Sequence, residues 1–294
     1  MSGFLERLAG RRCVLLDGGL GSMLISRGLQ PGSPPESWNL ARPDDVTAVH
    51  VAYVRAGSDA VHANTFGANP VRLARFGLED RLEEINVEGV RLARASGAAF
   101  VIGDVGPTGE YLPPVGHGSI EAWRSAYERQ GRVLALAGVD AIHVETMSDR
   151  REAMVALEAL LEVAPGVPIM VSLTFEKKPR GFFTMFGDRP IEALTALATA
   201  GAGAVGANCS IPSPMMRELG SDLLRTCTFP LVLQPNAGRP EQGADGVRYL
   251  QDPLEFAADM SALVEAGACA VGGCCGTDPR FIHELRRRLE ARGS

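Results

Sequence analysis

The sequence has no apolar run of the roughly 18 residues that a membrane-spanning helix requires, so a membrane partner is not expected. Positive charge is not in excess either, because 29 Lys and Arg stand against 35 Asp and Glu, for a formal net charge of −6. Nucleic acids attract clustered Lys and Arg, so a nucleic-acid partner is not expected. Six cysteines in a chain of this length do not make the disulfide framework typical of small secreted proteins.

The sequence also lacks the combination of a basic start, an apolar run and a cleavage site that marks a secretory leader. Together with the cysteine usage, this absence favours a protein of the reducing cytoplasm. No linker, low-complexity segment or change in composition divides the 294 residues, of which 46% are hydrophobic. We therefore expect one domain, residues 1–294, with a large buried core.

Short β-branched segments alternate along the chain with longer amphipathic ones. The amphipathic segments with helical spacing include 44–55, 82–95, 120–136, 149–163 and 254–265. Strict alternation of strands and helices predicts a parallel sheet with right-handed crossovers, and eight such units predict a closed (β/α)8 TIM barrel. The eight candidate strands are 13–17, 60–65, 100–104, 140–145, 169–174, 204–209, 231–236 and 269–274.

Each candidate strand ends on a polar or thiol-bearing residue after an apolar run. In this fold the carboxyl ends of the strands meet at the mouth of the barrel, where active sites form. We therefore expect these strand ends to line one site: Asp17, Asn64-Thr65, Asp104, Glu145, Thr174, Cys209, Asn236 and Cys274-Cys275.

Three of these strand-end residues are cysteines, Cys209, Cys274 and Cys275. Neighbouring residues of a regular strand point to opposite faces, so Cys274 and Cys275 reach one ion only if their flanking glycines let the backbone leave the strand. A structural zinc site usually has four protein ligands, whereas a catalytic site keeps one position open. The three thiols therefore predict an open Zn²⁺ site. Inert buried cysteines and a disulfide between neighbours are the alternatives.

The ligand type indicates the chemistry. Zinc with three thiolates is a poor Lewis acid for activating water and suits the binding of a further thiol. A thiol bound to a metal is deprotonated, and the thiolate is the nucleophile. We therefore predict alkyl transfer to sulfur.

The remaining strand ends fit a thiol that is also an amino acid. The turn Asp17-Gly18-Gly19 can hold a carboxylate on its backbone N–H groups, although a plain tight loop has the same composition. Asp17 and Glu145 can bind an ammonium group. Asn236 lies between the two cysteine strands, where it is either a turn residue or a resting fourth metal ligand. Three further residues complete the predicted substrate-binding set: Asn64, Thr65 and Asp104.

The residues described above make the chain resemble the homocysteine S-methyltransferase family. This family includes the homocysteine-binding barrel of cobalamin-dependent methionine synthase and, more distantly, betaine–homocysteine methyltransferase. The resemblance implies zinc on Cys209, Cys274 and Cys275, homocysteine as the thiol, and Asp17 and Glu145 at its amino group. It covers nearly the whole chain and is carried by 17–19, 64–68, 103–109, 145–146, 208–210, 235–238 and 272–277.

The chain departs from these relatives at several points. The sequence ends soon after the second cysteine motif, so the folate, cobalamin and activation domains of the synthase are not expected. His62 stands where the synthase barrels often carry an acidic residue, and Met147 stands where the betaine enzyme has an aromatic donor contact. The methyl donor is therefore open: a methyl-corrinoid carried by a separate protein, S-methylmethionine, or another onium compound.

The segment 175–189 is either a donor-side lid, a docking surface for a partner, or a plain packed loop. Two other functions compete with methionine formation. The protein can be a component of a corrinoid-dependent demethylation system with a different acceptor or direction, or a zinc- and thiol-binding barrel without enzymatic activity.

Overall fold

The computed structural model describes residues 3–10, 12–243 and 246–291, which form one domain around an eight-stranded parallel sheet. The strands in chain order are β1 Val14–Leu15, β2 Ala60–His62, β3 Phe100–Val105, β4 Ala141–Met147, β5 Ile169–Leu173, β6 Glu176–Lys178, β7 Gly181–Phe183, β8 Ala204–Pro212, β9 Leu231–Asn236, β10 Pro240–Gly243, β11 Gly246–Tyr249 and β12 Ala270–Val271.

The barrel strands follow the order β1-β12-β9-β8-β5-β4-β3-β2. Backbone contacts also join the two ends of this series, because Asp59 N donates to Leu15 O at 2.7 Å beside the start of β2. The predicted (β/α)8 barrel is therefore confirmed. All eight predicted barrel strands are present, but β1, β2 and β12 are shorter than expected. Asp17, Asn64-Thr65 and Cys274-Cys275 therefore lie beyond the regular strands.

Helices pack around the outside of the sheet and connect successive strands. Their bounds are α1 Gly3–Leu8, α2 Leu20–Ser26, α3 Trp38–Ala41, α4 Pro43–Ala56, α5 Pro70–Ala74, α6 Leu82–Ala95, α7 Ile120–Leu136, α8 Arg150–Val163, α9 Pro190–Thr199, α10 Ser213–Thr226, α11 Pro253–Glu265 and α12 Pro279–Glu290, with 3₁₀ turns at Pro35–Ser37 and Glu79–Arg81. The five predicted helices are confirmed to within one residue at each end.

Side-chain caps explain several of the helix starts. Ser119 accepts a hydrogen bond from Ala122 N, Asp149 from Arg151 N and Asp278 from Arg280 N. Such caps satisfy backbone N–H groups that have no partner inside the helix. No helix of the described residues combines the length and the apolar composition that crossing a membrane would require.

The lower part of the barrel interior is an apolar cluster. It is closed at the bottom by α1, whose Phe4 and Leu8 pack against the inward side chains of the strands. These inward side chains are small or aliphatic: Val14, Leu16, Ala60, Ile102, Ala141, Met170, Ala204, Val232 and Ala270. Because successive side chains alternate across a strand, the residues two positions further along point into the upper interior.

Two antiparallel hairpins, β6–β7 and β10–β11, were not predicted from the sequence. Both lie in loops that follow carboxyl ends of barrel strands, β5 and β9. In the segment 175–189, Phe175 and Phe182 are buried, while Met185 is exposed and Phe186 stacks near Tyr111, with ring centroids 5.6 Å apart.

Candidate functional site

The structure brings the three predicted cysteines together. The sulfur atoms of Cys209, Cys274 and Cys275 all lie within 4.8 Å of one another, and Cys209 Sγ is 3.8 Å from Cys275 Sγ. Sulfur atoms bound to one tetrahedral zinc ion at about 2.3 Å are themselves about 3.8 Å apart. The spacing of Cys209 and Cys275 matches that of two zinc ligands, and the third sulfur lies near enough to join them.

The backbone after β12 leaves the strand and lets neighbouring cysteines serve one site. Gly273 N donates to Asp17 O at 2.9 Å, and Cys274 N donates to Pro235 O at 2.8 Å. A Cβ atom at Gly273 would lie 2.1 Å from Thr277 Oγ1, and Gly276 has a φ of +78°. Glycine is therefore required at both positions, by close approach at one and by backbone conformation at the other.

The other side of the thiol cluster is built from unusual backbone. Cys209 and Ser210 both have φ of +58°, and the β8–β9 register shifts between Asn208 and Pro212. Thr146, at the end of β4, has the same φ. Positive φ in a residue other than glycine costs about 1–3 kcal/mol and persists where the surrounding structure enforces it. The strain at this site indicates that these side chains are held in required directions.

Asn208 connects the thiols to the acidic side of the site. Its side-chain oxygen accepts a hydrogen bond from Thr146 N at 2.8 Å, and its Nδ2 donates to Thr146 Oγ1 at 2.8 Å. The same Nδ2 also contacts Cys274 Sγ at 3.8 Å and donates a short hydrogen bond to Glu145. One amide on β8 therefore contacts a thiol beyond β12 and a carboxylate on β4, two strands that are not neighbours in the sheet.

The thiols share hydrogen bonds that divide their protons unequally. Hydrogen bonds from Cys209 and Cys274 lower the pKa of Cys275 to about 3. Hydrogen bonds to its two neighbours, together with burial, raise the pKa of Cys274 well above the ordinary thiol value. The cluster alone thus favours one thiolate, and a divalent cation is the group that would stabilise three.

Two amides on β9 have buried oxygens that lack a hydrogen-bond partner among the described residues, Gln234 Oε1 and Asn236 Oδ1. Asn236 lies between the two cysteine segments, because it pairs with Pro212 while the next residue, Ala237, donates through its N–H to Cys275 O at 2.9 Å. A buried unpaired acceptor is costly unless a ligand or water satisfies it. The free oxygen of Asn236 fits the predicted fourth ligand.

Tyr249, at the end of β11, is a neighbour of the thiols that sequence reasoning missed. Its hydroxyl hydrogen-bonds Cys275, and that bond lowers the pKa of the thiol. Its ring occupies the space where a side chain at Gly276 would have to fit, 2.1 Å from that Cβ position. The last glycine of the Gly-Gly-Cys-Cys-Gly block, Gly276, was the available sequence signal for this contact, because a residue without a side chain leaves room for a ring.

A cavity of about 350 Å³ lies beside the thiols, and acidic residues form its opposite side. Asp104 and Glu145 line it and hydrogen-bond each other. Burial, followed by the charge of Glu145 and this hydrogen bond, raises the pKa of Asp104 well above its usual value. Burial also raises the pKa of Glu145. Asp104 Oδ1 has no hydrogen-bond partner among the described residues.

The glycine turn and β2 form the remaining walls. Gly18 and Gly19 line the cavity, but Gly19 N already donates to Thr277 O at 2.9 Å. Asn64 lines it too and is fixed by hydrogen bonds to Pro35 O and Asn39 Oδ1, both at 2.8 Å.

Four strand-end residues predicted to line the site, Asp17, Thr65, Thr174 and Asn236, do not line this cavity. Thr65 is fully buried and holds Asp104 through hydrogen bonds to its backbone. Asp17 is only 1% exposed and lies against His62, which lines the cavity and whose Nδ1 is 2.6 Å from Asp17 Oδ1. Sequence reasoning noted His62 as a departure from the family but gave it no role.

The family model described as homocysteine S-methyltransferase matches residues 14–289. Methionine synthase of Mycobacterium tuberculosis (strain ATCC 25618 / H37Rv) is 32% identical over 94% of this chain, and that of Mycobacterium leprae (strain TN) is 31% identical over 96%. In both cases the matched region is 24% of the relative, so the chain spans about a quarter of the length of these proteins.

Among solved structures, the metallated form of the homocysteine methyltransferase MmuM from Escherichia coli superposes with a TM-score of 0.76. The two sequences are 26% identical, and the match covers 94% of this chain and 96% of the other. Sequence and structure thus agree over nearly the full length of the barrel, and the chain belongs to the homocysteine S-methyltransferase family of enzymes.

Proposed function

We propose that the protein transfers a methyl group to the sulfur of homocysteine and forms methionine, with Zn²⁺ bound by Cys209, Cys274 and Cys275. The single observation that carries this proposal is the set of three sulfur atoms within 4.8 Å of one another at the wall of a cavity of about 350 Å³. The crystallised relative from Escherichia coli is described as metallated, which supports a metal requirement.

When bound, zinc would lower the pKa of a thiol that coordinates it, so that this thiol is held as a thiolate. The sulfur lone pair of homocysteine then forms a bond to the donor methyl carbon, while the bond from that carbon to the donor breaks and the donor keeps the electron pair. The chain's own residues hold the nucleophile in place. Asn236 would provide the resting fourth ligand of the ion, and Tyr249 and Asn208 orient the cysteine sulfurs by hydrogen bonds.

We assign the two ends of the substrate backbone to opposite walls of the cavity. The carboxylate lies on the glycine side, Gly18 and Gly19 and the first turn of α2, where N–H groups lack intrahelical partners. The ammonium group lies on the acidic side, formed by Asp104, Glu145 and His62. Asp17 backs this wall through its bond to His62, and Asn64 and Thr65 support it. We assign this role to the whole barrel, residues 1–294.

The donor is the open part of this proposal. The matched region is 24% of the methionine synthase from Mycobacterium tuberculosis, which supports a donor brought by a separate protein, such as a methylated corrinoid. The match over 96% of the Escherichia coli methyltransferase supports a small free donor such as S-methylmethionine. All six cysteines are free thiols, and the clustered ones must stay reduced to bind metal, so we place the protein in a reducing cytoplasm.

The test is a metal assay followed by a donor panel. We expect about one zinc ion per chain, and methionine formation from homocysteine with one of the two donor types, measured with and without a methylated corrinoid protein. A metal-free preparation that forms methionine at the normal rate would contradict the zinc requirement. Failure with every donor although zinc and homocysteine bind would contradict the transfer itself.

A further inference from the structure

The cavity beside the thiols is larger than one small amino acid. Its volume is about 350 Å³. Homocysteine has eight non-hydrogen atoms, which at roughly 30 Å³ for each water-sized atom fill at most about 240 Å³. Methyl transfer needs a second reactant beside the sulfur, held so that the methyl carbon meets the sulfur lone pair. Part of the cavity therefore remains for the methyl donor.

A third wall of the cavity is formed by residues that belong to neither the thiol, the glycine nor the acidic side. They come from the start of α2, the 3₁₀ turn Pro35–Ser37 and the segment that follows β2. These residues are Leu20, Pro35, Glu36, Phe66 and Arg72. The segment 175–189, a candidate donor-side lid in the sequence, contributes no lining residue. The third wall is therefore the place to look for donor contacts.

Arg72 gives this wall a positive charge without a counter-ion. It is the only arginine or lysine that lines the cavity in the described part of the chain. Its guanidinium lies over the ring of Phe66, with Cζ 5.3 Å from the ring centroid, and makes no hydrogen bond or ion pair with a described residue. Arginine stays charged and has five N–H donors, so these donors face the cavity unused.

The surroundings of Arg72 hold it in place and do not neutralise it. Asn69, the cap of α5, accepts a hydrogen bond from Arg72 N at 2.9 Å. A Cβ atom at Gly67 would lie 3.2 Å from Arg72 Nε and 2.8 Å from Glu36 Oε1, so the glycine leaves room for both side chains. Glu36 Oε1 accepts from Gly67 N instead. Burial raises the pKa of Glu36, against the lowering effects of its backbone hydrogen bonds and of Arg72, which disfavours the carboxylate form.

A carboxylate is the anion that fits this arrangement. A guanidinium that lies over an aromatic ring keeps its N–H edge free, and two parallel N–H donors match the two oxygens of a carboxylate. The carboxylate of homocysteine is assigned to the glycine side, at Gly18 and Gly19. The anion that Arg72 can bind therefore belongs to the second reactant.

On the basis of the proposed function, we infer that Arg72 binds a carboxylate of the methyl donor, so that the donor is a small onium compound with a carboxylate and not a corrinoid held by another protein. The homocysteine thiolate forms a bond to the methyl carbon, and the bond from that carbon to the onium centre breaks. Its electron pair stays on the onium centre, which becomes neutral and leaves as a thioether or a tertiary amine. The transfer needs no further reactant.

Two donors that differ only in the carboxylate test this role. The first is whichever of S-methylmethionine and glycine betaine gives methionine, and the second is the carboxamide of that compound. Arg72→Gln should lower kcat/KM for the carboxylate donor about tenfold or more, mainly through KM, and that for the carboxamide less than about twofold. Arg72→Lys, which keeps the charge and loses the paired donors, should fall between wild type and Arg72→Gln.

A binding measurement separates this role from a structural one. Without homocysteine no transfer occurs, so the carboxylate donor can be titrated by calorimetry into the zinc-loaded protein. Its affinity should fall about tenfold in Arg72→Gln, while the affinity for homocysteine, titrated alone, should stay within about twofold of wild type. Arg75→Gln is the matched control, because Arg75 follows the same helix, pairs with Glu110 and does not line the cavity. It should leave both affinities unchanged.

Several results would overturn the inference and leave the proposed function intact. These are equal losses with both donors in Arg72→Gln, a loss of homocysteine affinity alone, a wild type that does not distinguish the carboxylate donor from its carboxamide, and transfer only from a methylated corrinoid protein. A wild type that binds neither zinc nor homocysteine would instead contradict the proposed function itself.

Discussion

The lower and upper halves of the barrel interior come from the same strands but differ in almost every physical property. In the lower half, Ile102, Met170 and Val232 pack against the N-terminal helix with no exposed surface. Two residues further along the same strands, the interior holds Asp104, Ser172 and Gln234. All three non-glycine residues with positive φ in the described chain, Thr146, Cys209 and Ser210, belong to the upper half.

The two halves of the same strands therefore have different roles. The apolar half lowers the free energy of the folded state by burying hydrocarbon, at about 25 cal/mol per Å². The upper half collects strained backbone, unpaired acceptors and carboxyls with raised pKa, all of which oppose folding. We therefore expect substitutions in the two halves to separate stability from metal and substrate binding.

The largest effect is expected at the thiols. Cys275→Ser should abolish stoichiometric zinc binding and turnover, because two thiolates and an alcohol no longer make the ligand set of the site. Bound zinc is measured by atomic emission on the purified protein. Cys227→Ser, a cysteine outside the cluster, is the matched control and should keep both zinc and activity. Full zinc content in Cys275→Ser would exclude this residue as a ligand.

Substitutions in the lower half should change the stability of the protein and leave zinc binding unchanged. Met170→Ala removes a fully buried side chain beneath the site and should lower the free energy of unfolding by about 2–5 kcal/mol. Zinc stoichiometry at low temperature should stay unchanged. Urea denaturation measures the free energy of unfolding, and a metal assay measures the bound zinc. Met185→Ala, at an exposed methionine, is the control. A loss of zinc in Met170→Ala as large as that expected in Cys275→Ser would show that stability and zinc binding cannot be separated in this way.

The acidic pair should show the opposite behaviour, with less binding and more stability. A carboxyl whose pKa is raised by folding contributes most below its unfolded pKa, and that contribution is lost as the pH rises through the folded pKa. Asp104→Asn should therefore stabilise the unliganded protein by about 1 kcal/mol at pH 7, since one pKa unit corresponds to about 1.4 kcal/mol. The gain should shrink toward about pH 3, where the wild-type carboxyl is mostly protonated in the unfolded state as well as in the folded state.

In the wild type, the same raised pKa should make homocysteine binding weaken as the pH falls, because the ammonium group needs the deprotonated pair. Urea titrations of Asp104→Asn and of an exposed control, Glu192→Gln, at both pH values test the stability difference. A stability loss in Asp104→Asn at pH 7 would contradict the burial-driven shift of this carboxyl.

The smallest effect is expected at the hydroxyl of Tyr249. Tyr249→Phe removes one hydrogen bond to Cys275 and keeps the ring that packs on Gly276. Residues that orient metal ligands usually contribute about 10–100-fold to metal affinity, and we expect the lower end of that range. Competition with a chromogenic chelator measures the zinc affinity. Tyr111→Phe, whose ring contacts Phe186 instead, should be neutral.

Much of the fold could be predicted from local patterns. The alternation of apolar strands with amphipathic helices predicted the barrel, and the helix bounds follow from periodicity and caps that lie within a few residues of each other. The hairpins β6–β7 and β10–β11 were missed because neither has the alternating apolar pattern of a buried strand. Glu176–Lys178 is charged and exposed along its whole length.

The sequence predicted which strand ends form the site but not which of its side chains contact one another. The sequence by itself determined the barrel, the polar ends of its strands and the three thiols, because strand and helix periods and glycine-flanked cysteines are local signals. Only the tertiary structure decided that His62 lies against Asp17, that Tyr249 contacts Cys275 and that Asp104 keeps an open oxygen. These partners are far apart in the chain, and side-chain direction at a strand end depends on backbone that has already left the regular strand.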